Sequence, residues 1–171
     1  MSDPARAADA AGVRIFENSA VTSVQTGGSV HLRTEGGEVH ARQVLLAGNV
    51  YLQGLDNAAV AALESRIMPV GTYIVCSETM DAALCDSLIP SRSAVCDTNF
   101  VLDYFRPTND NRMLYGGRVS YSTVTPPNLA EGMRQRMVGT FPQLAGLKIS
   151  HAWGGFVDIT MNRAPDFGRL G

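Results

Sequence analysis

The sequence of 171 residues has little charge and no excess of either sign: charged residues make up 18%, and the formal net charge is -2. Proteins that bind nucleic acid usually carry basic patches, so we expect no nucleic-acid partner. No apolar run approaches the roughly 20 residues that a membrane-spanning helix needs, so we expect no membrane partner either. Because no basic segment leads into an apolar one at the start, we expect no signal peptide and predict a cytoplasmic protein.

Cysteine is scarce and histidine is scattered, which argues against two kinds of site. The three cysteines, Cys76, Cys85 and Cys96, are interpreted as reduced thiols, with Cys76 and Cys96 on apolar strands of the core. His31 and His40 lie on opposite arms of a predicted hairpin, but no Cys or His spacing matches a zinc site. No Gly-x-Ser-x-Gly motif occurs. We therefore predict no metal site and no serine hydrolase.

The first third of the chain predicts strands and turns. Residues 4–12 are rich in alanine and predict the end of a helix, which Gly12 closes. Apolar residues and turn signals then predict strands at residues 13–16, 21–24, 30–34 and 39–46, with a turn at 35–38. The last strand ends in the apolar run Val44–Ala47, which is typical of a strand covered on both faces.

The rest of the chain predicts several adjacent strands and a few helices. The predicted strands are residues 68–78, 93–97, 100–106, 112–118 and 149–160, and a turn at 109–111 joins two of them. The predicted helices are residues 56–66, capped by Asp56; 79–88, capped by Thr79; and a longer helix that Pro126 and Pro127 begin. Its apolar stripe is Leu129, Met133, Met137 and Phe141. The fold class is α+β, with a mixed or antiparallel sheet and helices on one face.

Four segments, taken in order, resemble the D-amino-acid oxidase superfamily of FAD-dependent amine and amino-acid oxidases. They are residues 12–24, 44–51, the hairpin 102–106 with 112–117, and 153–168. The stretch 158–163, Asp-Ile-Thr-Met-Asn-Arg, is similar to the gamma-glutamylputrescine oxidase branch. The resemblance implies FAD as the cofactor and an amine substrate that is oxidised to an imine by hydride transfer to the flavin. It also implies a partial, β-rich FAD-binding domain at 1–55, a substrate-binding domain at 56–160, and a return to the FAD domain at 161–171.

The resemblance assigns cofactor-binding roles in the first of these domains. Val21 would lie by the adenine of FAD and use its backbone, and Ala47, Gly48 and Asn49 would pass close to the flavin. Elementary geometry agrees, because ligands of such sheets lie beyond the carboxyl ends of strands and glycine permits close approach of the backbone. A plain turn at the end of a strand is the alternative.

The Gly-x-Gly-x-x-Gly spacing that holds the pyrophosphate in this family does not occur in the sequence. Nor does the resemblance extend to the family's glycine-rich segment that covers the flavin. We therefore expect a fragment that binds FAD weakly or not at all and is inactive alone. Apolar surface exposed by such a truncation predicts self-association.

The substrate side of the resemblance favours an amine over an alpha-amino acid. In the amino-acid oxidases an arginine, which can bind a carboxylate through paired hydrogen bonds, usually stands where this chain has Val157. Asp158 and Asn162 would then face an amine such as gamma-glutamylputrescine, although Asp158 could also be a solvated or capping carboxylate. The alternatives are an amino-acid or sarcosine-type oxidase or dehydrogenase, and a binding domain without a redox role.

Three further residues are candidates for substrate binding. Trp153 would form a wall of the substrate pocket or lie in the core. Tyr104 and Arg106 share one face of a predicted strand and would line the same pocket or stiffen the sheet. Tyr73 and Tyr115 carry the same ambiguity.

Overall fold

The computed structural model describes residues 4–52, 55–57, 60–61, 66–122, 124–160, 162, 164–165 and 167–169. The chain divides into two compact units, one of residues 1–66 with 168–171 and the other of residues 67–167. The assignment of residues 1–55, 56–160 and 161–171 to FAD and substrate domains remains a prediction. Within the described residues, no helix is both long enough and apolar enough to cross a bilayer.

The first unit contains a short helix and an antiparallel sheet of three strands in the order β1-β2-β3. The elements are α1 (Pro4–Ala10), β1 (Val21–Gln25), β2 (Val30–Thr34) and β3 (Gly37–Ala41). Gly12 closes α1 as predicted: its φ is +84°, which favours glycine, and the next backbone N–H, of Val13, donates to the Ala8 carbonyl at 3.0 Å. His31 and His40 face each other across β2 and β3, with ring centroids 4.0 Å apart.

Of the strands predicted in this unit, the one at 13–16 is wrong, and the one at 39–46 exists as β3 but begins earlier and ends earlier than predicted. Residues 13–16 form no strand, and the Phe16 side chain is 67% exposed. β3 ends at Ala41, so the apolar run Val44–Ala47 is irregular, and Leu45 is 84% exposed. A buried strand needs backbone hydrogen bonds from neighbours on both sides, and no described residue supplies them here. Apolar character alone therefore predicted a strand that the backbone does not form.

The segment after the 3₁₀ turn Asn49–Leu52 returns alongside β1. The Asp56 backbone N–H donates to the Thr22 carbonyl at 3.3 Å, and the Asn57 side chain donates to the Val24 carbonyl at 2.7 Å. Asn57 also accepts a hydrogen bond from the Val60 N–H at 3.2 Å. The Asn57 side chain thus accepts from an N–H of the helix predicted at 56–66. Most of that helix lies outside the described residues, so the predicted cap at Asp56 stays a prediction.

The second unit is a five-stranded antiparallel sheet that two helices cover on one face, which confirms the predicted fold class. The strand order is β5-β6-β7-β4-β8. The strands are β4 (Val70–Ser77), β5 (Val95–Cys96), β6 (Tyr104–Pro107), β7 (Met113–Ser120) and β8 (Ile149–Val157). The helices are α2 (Ala82–Leu88) and α3 (Leu129–Thr140). The sequence pattern located each strand but made β5 and β6 too long.

The apolar stripe of α3 is confirmed and builds the core. Met133 and Met137 are fully buried, and Leu129 and Phe141 pack against the same cluster. The fully or largely buried members of the cluster are Tyr73, Val75, Met80, Cys85, Ile89, Met113, Tyr115, Met133, Met137 and Leu144. The prolines at 126 and 127 precede the helix, which begins after Asn128, so their predicted place in its first turn is wrong.

Two smaller predictions in this unit also need correction. α2 is capped by Asp81, whose carboxylate accepts from the Ala83 N–H at 2.8 Å, and Thr79 lies outside the helix. Among the cysteines, Cys76 is buried as predicted, but Cys96 is exposed because its short strand lies at the edge of the sheet.

Tyr115 gives the core a pH dependence. Burial raises the pKa of its phenol from 10.0 to about 12, while a hydrogen bond to Thr140 at 2.8 Å acts in the opposite direction. Between about pH 10 and about pH 12 the folded state keeps this proton while the unfolded state loses it. The proton therefore stabilises the folded state fully below about pH 10, and this stabilisation is lost as the pH rises toward the folded pKa. Between about pH 9 and about pH 12, we expect the free energy of unfolding to fall by about 2 kcal/mol more in the wild type than in Tyr115→Phe. Denaturant titrations check this, and Tyr121→Phe, at a ring that is 67% exposed, should behave as the wild type.

Candidate functional site

The sheet face opposite α2 and α3 is open and mostly apolar. Side chains alternate along a strand, so in β4 Tyr73 and Val75 enter the core while Val70, Thr72 and Ile74 line the other face. The helices cover only the first set. The second set is therefore available to a ligand.

The strand register brings the predicted substrate residues to this open face. Tyr104 lies opposite Gly116, Gly116 lies opposite Ile74, and Ile74 lies opposite Trp153. These residues form one row across four strands. Arg106 is two residues further along β6 and has the same orientation, so the predicted shared face of Tyr104 and Arg106 holds.

Two adjacent pockets occupy the open face and share the Tyr104 side chain, which lies between them. Each has a volume of about 210 Å³. The first is lined by Val70, Thr72, Phe100, Val101, Leu102, Tyr104, Gly117, Val119, Tyr121, Val157 and Ile159. The second is lined by Ile74, Ala94, Val95, Tyr104, Phe105, Arg106, Leu114, Gly116 and Trp153. Joined, they reach the roughly 300–1,000 Å³ typical of small-molecule sites.

The structure places four of the five predicted substrate residues in these pockets. Trp153 is 45% exposed and walls the second pocket, so the alternative of a core tryptophan is wrong. Val157 lines the first pocket from β8. Asp158 follows the end of β8, is exposed, and belongs to neither lining. Asn162 accepts a hydrogen bond from the Ala164 N–H at 3.0 Å within its own turn.

Gly116 lines the second pocket, and the sequence analysis did not identify it as a site residue. The Tyr104 ring lies directly over it, so a Cβ at this position would overlap the ring atoms. The Tyr104 hydroxyl reaches Thr72 on β4 with an O···O distance of 3.2 Å. Gly116 lies inside β7, and glycine within a strand often marks the close approach of another group.

The two glycines after Trp153 lie on opposite faces of the sheet and have different surroundings. Gly154 faces the core, where a Cβ would lie 2.5 Å from the Tyr73 ring and 3.0 Å from the Thr72 carbonyl oxygen. Gly155 lies opposite Thr72 on the open face, and no atom lies within 4 Å of its Cβ position. The open face thus has a stretch of bare backbone on which a flat group can lie.

An ion pair fixes the chain just before Tyr104. The Arg136 guanidinium of α3 donates to the Asp103 carboxylate from Nη2 at 2.6 Å and from Nε at 3.1 Å. The Asp103 side chain is only 14% exposed, and its backbone N–H donates to the Asp97 carboxylate at 3.1 Å. A helix on the covered face therefore holds the residue that precedes Tyr104, and so positions a side chain on the open one.

The four cofactor candidates lie in the first unit. Val21 is the first residue of β1 and is 38% exposed. Ala47 and Asn49 are exposed, with Asn49 at φ +52°. The Gly48 carbonyl accepts from the Tyr51 N–H at 2.9 Å. Their roles toward a cofactor remain predictions.

The sequence is similar to known FAD-dependent oxidoreductases over nearly its whole length. The family described as "FAD dependent oxidoreductase" matches residues 4–171. Gamma-glutamylputrescine oxidoreductase of Escherichia coli is 42% identical over 159 residues, which are 93% of this chain and 37% of that protein. The beta subunit of sarcosine oxidase from Rhodobacter capsulatus is 25% identical, covering 94% of this chain and 38% of its own length. The chain thus spans little more than a third of these relatives.

A solved structure agrees with the fold. L-proline dehydrogenase from P. horikoshii superposes with a TM-score of 0.74 at 17% identity, covering 98% of this chain and 45% of that one. At this identity the likeness concerns the fold alone. The family match extends over nearly the whole sequence and includes every strand of the open face. The chain therefore belongs to the DAO family of FAD-dependent oxidoreductases.

Proposed function

We propose that this chain provides the substrate-binding sheet, and part of the cofactor domain, of an FAD-dependent enzyme that oxidises an amine of the gamma-glutamylputrescine type. The observation that carries the proposal is the open sheet face, on which Tyr104, Arg106, Trp153 and Val157 come together. The relative named for gamma-glutamylputrescine supports this choice of substrate at 42% identity.

The residues on the open face suit a flavin and its substrate. The isoalloxazine ring is flat and largely apolar, and Gly155 leaves a bare strip of backbone with nothing within 4 Å of its Cβ position. The exposed rings of Trp153, Phe100 and Tyr121 offer aromatic surface close by, at 45%, 78% and 67% exposure. In the other unit, Val21 is proposed to lie by the adenine of FAD and to use its backbone, and Ala47–Asn49 to pass close to the flavin.

The chemistry divides between cofactor and protein. When bound, the flavin supplies the acceptor for hydride from the carbon that bears the amine. The chain's own residues must hold that carbon in place and exclude water from it. Tyr104 and Trp153 provide apolar walls for the carbon chain, and the Tyr104 hydroxyl is held by Thr72. Such positioning requires no strong base from the protein, and no carboxylate side chain occurs among the described residues that line the pockets.

An amino-acid or sarcosine-type oxidase is the second candidate, supported by the 25% identity to a sarcosine oxidase subunit. The pocket composition favours the amine. An amino acid carries its carboxylate on the reacting carbon and needs a cation beside that carbon. With Val157 in this place, none of the described residues that line the first pocket is charged, and Arg106, in the second, is the one cation among the described lining residues.

Anaerobic flavin reduction distinguishes these candidates. The protein used is an FAD-loaded enzyme that contains these 171 residues together with the rest of its FAD-binding domain. It is mixed in separate experiments with gamma-glutamylputrescine, sarcosine and a D-amino acid. We expect gamma-glutamylputrescine to bleach the flavin absorbance and to do so fastest. Bleaching by sarcosine or the amino acid alone would favour the second candidate, and no bleaching by any of the three would overturn the proposal.

A further inference from the structure

Arg106 places a cation at one end of the open face. It lies on β6, is half-buried, and lines the second pocket beside Trp153. The remaining lining is almost wholly apolar, with Ile74, Val95 and Leu114 as its aliphatic members. A guanidinium next to such walls is less well hydrated than one in open water, so an anion there is attracted more strongly.

The charge of Arg106 has no carboxylate partner among the described residues. Its recorded hydrogen bond is from Nε to the Pro107 carbonyl at a long 3.5 Å. Four other arginines of the same unit have carboxylates at 2.6–2.9 Å; they are Arg92, Arg112, Arg134 and Arg136. Arg106, in contrast, takes part in none of these ion pairs, so the N–H groups of its guanidinium can donate to a ligand.

We infer that Arg106 binds a carboxylate at the end of the substrate remote from the amine that is oxidised. This rests on the proposed function and specifies its substrate class: amines whose far end is anionic, as in a gamma-glutamyl group. An ammonium group would be repelled by Arg106, so the reacting amine lies on the other side of Tyr104, toward Gly155. Counted along β4, the row of Arg106 is at Cys76 and that of Gly155 at Thr72, which is roughly 13 Å at about 3.3 Å per residue. Across the sheet, Arg106 on β6 and Gly155 on β8 are also three strand spacings apart, which is roughly 14 Å at about 4.8 Å per spacing. The two backbone positions are therefore roughly 20 Å apart, and an arginine side chain can span part of that distance.

That separation suits an extended amine and excludes a small one. A compact alpha-amino acid cannot place its carboxylate on Arg106 and its amine beside Gly155 at once. A chain of several methylenes between the two charged ends can do so, and it passes between the Tyr104 and Trp153 side chains. Arg106 therefore selects substrates for length and for the charge of their far end.

The test compares Arg106→Gln, Arg106→Lys and the control Arg118→Gln in the FAD-loaded protein that carries these residues. Arg118 is exposed and lies near Gly132 of α3, on the covered side of the sheet. Losing a charge-assisted pair should raise KM for gamma-glutamylputrescine about 10- to 100-fold in Arg106→Gln. The kcat/KM for putrescine should not fall in Arg106→Gln and should rise, because the far end of putrescine is an ammonium that Arg106 repels. Arg106→Lys should recover part of the loss for gamma-glutamylputrescine, and Arg118→Gln should match the wild type.

A binding measurement separates this inference from the proposed function. Glutarate carries carboxylates but has no amine to oxidise, and its calorimetric affinity should fall about 10- to 100-fold in Arg106→Gln. Weaker glutarate binding without oxidation of any amine would support the carboxylate site and sink the proposed function. Amine oxidation with unchanged glutarate affinity, or equal losses for gamma-glutamylputrescine and putrescine, would overturn the role of Arg106.

Discussion

Gly116→Ala should lower kcat/KM for the proposed amine substrate by about 100-fold, the size of loss that a misplacement of roughly 1 Å can cause. The added Cβ overlaps the Tyr104 ring, which lies directly over Gly116. The ring must move away from the sheet, and in doing so it enters the space that the two pockets share. It also leaves Thr72, whose hydroxyl is 3.2 Å from its own. Steady-state kinetics of the FAD-loaded protein measure the change.

A double-mutant cycle shows whether the overlap is the cause. Overpacking should lower the free energy of unfolding of Gly116→Ala by about 1–3 kcal/mol. In a Tyr104→Ala background the same glycine substitution should cost almost nothing, because the ring it meets is absent. Gly139→Ala is the matched control: Gly139 is in α3 with nothing within 4 Å of its Cβ position, and alanine there should add about 0.5–1 kcal/mol of stability. Full activity of Gly116→Ala would contradict the placement of Tyr104.

Met133→Ala should lower the free energy of unfolding by about 2–5 kcal/mol, which is a large part of the stability of an ordinary domain. Met133 is fully buried between α3 and the sheet, so truncation removes apolar contacts and leaves a cavity. Denaturant-induced unfolding measures the loss. Met133→Leu, which nearly conserves volume, should cost less than about 1.5 kcal/mol.

An exposed methionine provides the comparison for this substitution. Met68 is 57% exposed, and Met68→Ala should change the free energy of unfolding by no more than about 0.5 kcal/mol. Equal effects at Met68 and Met133 would mean that α3 does not cover the sheet as described. Because α3 also holds Asp103 through Arg136, loss of its packing should reach Tyr104 and reduce activity as well.

The elements that the sequence predicted well are those in which local pattern and tertiary packing agree. The stripe of Leu129, Met133 and Met137 has helical spacing and meets one face of one sheet, so its period alone located α3 and its buried side. The turn at 109–111 is rich in Asn and Asp and joins two strands that pair in register.

The wrong predictions depended on neighbours that a local pattern does not contain. Val44–Ala47 is as apolar as a buried strand, but no described strand pairs with it, and Leu45 is left 84% exposed. At the start of α2, the predicted cap Thr79 and the observed cap Asp81 are two short polar side chains that can each accept from helix N–H groups. Only the backbone geometry decides between them.

The site was predictable in its members but not in its arrangement. The alternation along β6 put Tyr104 and Arg106 on one face from the sequence alone. Bringing Trp153 to that face required the order β6-β7-β4-β8, which joins strands distant in the chain. The same strand order explains why the sequence did not identify Gly116. The need for a glycine there becomes visible only when Tyr104, on the neighbouring strand β6, is seen to lie over it.

Protection of Trp153 from oxidation tests most directly whether the open face holds the substrate. It is the only tryptophan of the 171 residues and is 45% exposed on the wall of the second pocket. In hydroxyl-radical footprinting of the FAD-loaded protein that carries these residues, saturating gamma-glutamylputrescine should sharply reduce modification of Trp153 and Tyr104. Phe16, an exposed ring of the other unit, should be modified as before. Unchanged modification of Trp153 at saturating substrate would contradict a substrate site on this face of the sheet.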